Sequence, residues 1–148
     1  MRSKPHSAQS EPQAKDVLGR LFRVGDVRRL SLAGLHLVMA MRLFALFERA
    51  GRDPLEELSQ RFGSVSAAIA MVDLADQIVQ CWPERYHASR PCCLAMTPDE
   101  WTVAQLCNAV EAGSRARFVA ALDGFVRRDR HDRLFDAAVR IVAALPQP

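Results

Sequence analysis

Five residues in the middle of the chain are the best suited to chemistry: Cys81, His87, Cys92, Cys93 and Cys107. Thiolate sulfur and imidazole nitrogen are the ligands that zinc prefers. Structural zinc sites usually start from two cysteines a few residues apart, and no C-x2-4-C pair exists here. Adjacent cysteines rarely both reach one tetrahedral ion without contorting the backbone. Cys107 falls between Leu106 and Val110 in a helical pattern, where a free cysteine acts as a small apolar residue. Cys81, His87, Cys92 and Cys93 therefore remain as candidate metal ligands or redox thiols. The spacing itself favours structural thiols and no bound cofactor.

Nucleophilic catalysis needs a nucleophile, a base and a group that orients the base. Cys92 or Cys93 with His87 or His36 is the combination on offer. His36 lies in a long apolar run and reads as a core histidine. His6 and His131 sit among polar and charged neighbours. The chain has no G-x-S-x-G, no H-E-x-x-H and no glycine-rich phosphate loop. Asp53, Glu56, Glu57, Asp99 and Glu100 occupy cap and first-turn positions of helices. The expectation is a protein that is not an enzyme.

A helix-turn-helix pattern spans residues 53–80, through Leu58, Ser59, Phe62, Gly63, Ser66, Ile69 and Val72. That motif reads DNA by sending Arg, Lys, Asn or Gln from its second helix to base edges. The outward positions expected early in this second helix are Val65, Ser66, Ala67 and Ala70, followed by Asp73 and Asp76. Residues 31–110 hold six basic and nine acidic side chains, a field that repels phosphate. A DNA-binding regulator is thus the alternative reading, and the residue types argue against nucleic acid.

The elements that must position these residues follow from periodicity and caps. Residues 1–12 contain two prolines and no apolar run, so a disordered arm is expected, followed by a single helical domain over 13–148. Val17, Leu18, Leu21 and Phe22 have helical spacing. Asp26 is placed to cap a long helix Val27–Ala50 that Gly51 ends. On it Arg28, Ser31, Arg42 and Arg49 fall within about 60° of one another at about 100° per residue. Nearly all the remaining circumference is apolar, which marks a central helix.

Asp53-Pro54-Leu55-Glu56 starts a short helix that Gly63 ends, and Ser64 caps another reaching Cys81. Ile69, Val72, Ile78 and Val79 read as part of its apolar face. Residues 83–96 form the longest irregular connection. Thr97-Pro98-Asp99-Glu100 combines an N-cap, a proline at the first helical position and acidic first-turn residues, and starts a helix to Ala112. Ser114 opens the next, and Asp132–Leu145 is the last. The run Arg127–Arg133 reads as a solvated helix junction. No period-two strand occurs, so the expected fold is all-α, a bundle of five to seven helices around a central apolar helix.

The 148 residues suit one domain, and 49% hydrophobic with 25% charged residues is the composition of a folded globular chain. A net charge of +3 is too small to require a polyanionic partner. The N-terminal residues lack the apolar core of a signal peptide, so a reducing cytoplasm is expected. The most apolar stretch, Ser31–Phe47, is shorter than the roughly 20 residues of a spanning helix and carries His36 and Arg42. It reads as a core helix, not a membrane span.

The segment Pro91-Cys92-Cys93-Leu94-Ala95-Met96-Thr97-Pro98-Asp99-Glu100 resembles an uncharacterised family of small helical bacterial proteins. These share a P-C-C turn followed by M-T, an acidic-capped helix and an arginine-flanked apolar helix upstream. The resemblance implies a helical fold and a bacterial origin, and it carries over no functional residue. The functional expectation is a protein-protein interaction or regulatory module whose partner is another protein or a second copy. Leu35, Met39, Leu43 and Phe47 are the expected contacts, with a homodimer favoured. The second alternative is a zinc- or redox-responsive Cys/His protein.

Overall fold

The computed structural model describes residues 25–147. The expected arm over 1–12 and the helical pattern at Val17, Leu18, Leu21 and Phe22 lie outside them. Among the described residues the fold is all-α, with a single 3-10 turn at Val27–Arg29 and six helices. These are α1 (Leu32–Arg49), α2 (Leu55–Phe62), α3 (Val65–Cys81), α4 (Pro98–Glu111), α5 (Arg115–Leu122) and α6 (Arg128–Ala144). The described residues contain no strand; Asp26 and Ala95 form one isolated antiparallel bridge.

Helix α1 starts five residues later than its sequence predicts. Asp26 does act as a cap, but of the 3-10 turn, accepting from the Arg28 amide. The Val27 amide donates to Leu94 O at 2.9 Å and the Met96 amide to Gly25 O at 3.2 Å. Those bonds hold residues 25–27 against the 94–96 segment, and Leu30 turns extended. Ser31 then caps α1 by accepting from the Gly34 amide.

Helix α2 starts one residue later than expected, with Pro54 and not Asp53 at the cap position, although the Asp53 carboxylate still accepts from the Leu55 amide at 2.9 Å. Gly63 closes α2 at φ +64°, a conformation that strains any residue with a Cβ, and Ser64 caps α3. At the other end of the chain, α6 begins at Arg128 and not at Asp132. His131 is buried there, its Nε2 within 2.9 Å of Val126 O, so the charged run is the first turn of a helix pinned by an interior histidine.

Helices α1 and α4 run antiparallel, with Ser31 bonded to Glu111 at one end and Arg42 to Glu100 at the other. Helix α3 packs against α2 and α6, and α4 also contacts α5 and α6. One core joins residues from all six helices, including Leu37, Met41, Leu58, Met71, Leu74, Phe118, Leu134 and Ile141. A second cluster, Val27, Val38, Met96 and Ala104, lies under the bridged segments.

Candidate functional site

The loop between α3 and α4 carries three of the thiol and imidazole candidates, and a buried ion pair shapes it. Sequence periodicity puts Arg42 on the polar stripe of α1; the structure places it among the most buried side chains. Its Nε donates to Glu100 Oε1 at 2.8 Å and its Nη2 to Oε2 at 3.0 Å, with neither side chain exposed. The remaining donors reach carbonyls of the loop: Nη1 to Cys93 O at 2.6 Å and Arg90 O at 3.2 Å, Nη2 to Ala95 O at 3.2 Å. The five-donor fork of arginine suits this task, because one planar group serves a carboxylate and several carbonyls together.

Glu100 completes the arrangement from the other side. It accepts from the Ser89 amide at 2.8 Å and from the Thr97 amide at 3.0 Å, the latter as half of a capping box. Thr97 Oγ1 accepts from the Glu100 amide and donates to His87 O at 2.7 Å. Asp99 accepts from Trp82 Nε1 and from the His87 amide. Bonds to Glu100 raise the Arg42 pKa above its already high ordinary value. The hydroxyl of Tyr86 is buried nearby, and burial, with the Glu100 and Asp99 charges, pushes its pKa well up, so it stays neutral.

The structure separates the cysteines. Cys92 is exposed and Cys93 half-buried, both in the turn Arg90–Cys93 that the Cys93 amide closes on Arg90 O at 3.0 Å. Cys81 is half-buried at the end of α3, where burial raises its pKa against the lowering effect of Arg130. Cys107 is fully buried in α4, and burial next to Glu111 pushes its thiol up to about 12. His87 is exposed and uses its backbone, not its ring, in the hydrogen bonds above. Among the described residues, no three His, Cys, Asp or Glu side chains are grouped so as to hold a metal ion.

The four expected contact residues all have neighbours within the chain. Leu43 is only 7% exposed and belongs to the core. Phe47 lies under the Arg52 guanidinium, 4.9 Å from ring centroid to Cζ. Leu35 packs on the second cluster, and Met39 touches Arg42 through its sulfur.

The surface that periodicity missed is on α3. Its buried face is Ala67, Ala68, Met71, Leu74, Ala75 and Ile78. Ile69 and Val79 fall outside this face, against the expectation that both are core. Val65 is 60% exposed, Ile69 55% and Val79 44%, with Val72 half-buried between them. The interval pattern is four, three and seven residues, that of a helix-pairing seam. Ala67, expected outward for base reading, is buried, so the second helix of the hairpin presents Val65, Ser66 and Ile69 in its first turns. Asp76 continues the same line, its pKa raised by burial and by the Asp73 and Glu48 charges.

No protein-family model matches the chain, and searches of curated proteins and of solved structures found no match. No helix among the described residues is long and apolar enough to cross a membrane.

Proposed function

We propose that this chain is a protein-protein interaction module whose docking surface is the outward face of α3, and that the occupant is a second copy. The observation that carries this reading is the row of exposed Val65, Ile69 and Val79 with half-buried Val72 between them, beside a face already buried in the core. A line of exposed aliphatic side chains on one helix marks a face that a partner covers. Val65, Val72 and Val79 are also self-complementary, while Ile69 falls opposite the buried Ala75. Two copies of α3 crossing antiparallel about Val72 set Val65 opposite Val79 and Val72 opposite itself, the matching that a two-fold interface requires. A parallel arrangement would instead bring Asp76 against its own copy, a like-charge contact on an apolar seam. The acidic and aliphatic character of this face speaks for a protein surface over a phosphate backbone.

Light scattering across a concentration series tests the reading. The expected result is a dimer for the wild type and a folded monomer for Ile69→Glu, since Ile69 supports no intramolecular core. A wild type that stays monomeric near millimolar concentration overturns self-association, and a dimer that survives Ile69→Glu removes α3 as the interface.

A further inference from the structure

We infer that Cys92 and Cys93 are a site of reversible oxidation by hydroperoxides, and that closing a disulfide between them releases the α3–α4 loop from Arg42. Cys92 is exposed at the third position of the Arg90–Cys93 turn, with Pro91 fixing the position before it, so a small oxidant reaches its sulfur directly. Cys93 follows immediately and is half-buried, placed to resolve what forms on Cys92. A hydroperoxide accepts attack by the Cys92 thiolate; the O–O bond breaks, an alcohol or water departs, and Cys92 becomes a sulfenic acid. The Cys93 thiolate then attacks that sulfur and expels hydroxide, which leaves as water. Two thiols lose two electrons in all, and the peroxide gains them.

The structural consequence follows from chain geometry. Neighbouring Cα atoms across a trans peptide lie about 3.8 Å apart, shorter than the roughly 4.4–6.8 Å that disulfides span. Closing the small ring must therefore force the backbone torsions at Cys92 and Cys93 away from those of the turn. The Cys93 amide donates to Arg90 O, and Cys93 O and Arg90 O are both acceptors for Arg42 Nη1. Leaving the turn conformation breaks the Cys93 amide bond to Arg90 O and shifts Cys93 O, the shortest contact of Arg42 Nη1, away from a guanidinium with no solvent to replace it. The strain in the small ring also makes it easy to reduce, so a dithiol restores the loop.

The experiment is a titration of the reduced, full-length protein with hydrogen peroxide. It is read by mass spectrometry of the peptide carrying both cysteines and by amide exchange at Ser89, which donates to Glu100 from the same loop. The expected result is loss of two hydrogens from that peptide together with Ser89 exchange roughly tenfold or more faster, the shift that follows losing a hydrogen bond to a charged group. Dithiothreitol reverses both changes, and Cys92→Ser, which alters an exposed side chain, shows neither. Gain of oxygen atoms without loss of the two hydrogens overturns the proposal. So does a disulfide linking two chains or joining Cys81, and so does a closed ring that leaves Ser89 exchange unchanged.

Discussion

The Arg42 guanidinium and the Glu100 carboxylate, 58 residues apart in sequence, meet through two hydrogen bonds with no solvent access to either side chain. A buried pair of this kind gains little over an apolar pair of the same shape, because both charges must leave water. Its value here lies in what it organises. It ties α1 to the first turn of α4 and holds the carbonyls of Arg90, Cys93 and Ala95, so the cysteine turn has one position relative to the bundle.

Arg42→Ala leaves Glu100 buried without its cation and Cys93 O without a donor, while Arg90 O keeps the Cys93 amide and Ala95 O the Ser89 hydroxyl. The expected loss is about 3–5 kcal/mol in urea unfolding, as for other broken buried pairs. The double variant Arg42→Met, Glu100→Leu is expected to recover a large part of that loss, since neither charge then remains unpaired.

Thr97→Ala removes the acceptor for the Glu100 amide and the donor to His87 O. A cost of about 1–2 kcal/mol is expected from the lost cap and the lost loop bond. Thr97→Ser keeps the hydroxyl and should retain most of the stability, measured as the shift of the denaturation midpoint at unchanged slope.

Leu43→Arg and Ile69→Arg separate core from surface. Leu43 is enclosed by the chain's own helices, so an arginine there is expected to unfold the protein, with loss of the cooperative thermal transition. Ile69 is exposed, and the same change should leave helical circular dichroism and the transition within about 0.5 kcal/mol of the wild-type monomer.

Thiol labelling of the native, reduced protein should proceed first at Cys92 and last at Cys107. Burial keeps the Cys107 thiol protonated up to about 12, above its ordinary 9.0. Between those values the unfolded chain has already lost this proton while the folded one retains it. Stability contributed by Cys107 is therefore intact below pH 9 and falls as pH rises towards 12. Cys107→Ala should flatten that alkaline slope in a pH series of unfolding curves.

Asp26 is the acid-side counterpart. The adjacent Arg28 side chain, through its hydrogen bonds, lowers the Asp26 carboxyl from 3.8 to about 2. The stabilising contribution is present above pH 3.8 and disappears as pH falls through about 2. Carbon chemical shifts of the Asp26 carboxyl should titrate near that lower value, and Arg28→Ala should return the midpoint towards 3.8.

Local signals in the sequence settle most of the helix ends. Ser64, Gly63 and the Thr97-Pro98-Asp99-Glu100 segment act where their chemistry places them, because a cap concerns atoms only a few residues away. Apolar periodicity and the absence of period-two runs likewise point to the all-helical fold seen among the described residues. The start of α1 was not legible, because it depends on residues 25–27 pairing with 94–96 across the fold.

The candidate sites divide in the same way. That Cys92 and Cys93 stand together beside a proline is a property of the sequence. That they sit on a turn clamped by Arg42 is not, since periodicity alone assigns an arginine to the wet face and cannot see its partner 58 residues away. Glu100 reads as a first-turn acid and is one, but its second role needs the neighbour that α1 brings. On α3, residue types place Ile69, Val72, Ile78 and Val79 on one apolar face, and only packing decides which of them face in. The side carrying Met71, Leu74 and Ile78 with three alanines packs into the core, and Val65, Ile69 and Val79 lie outside it.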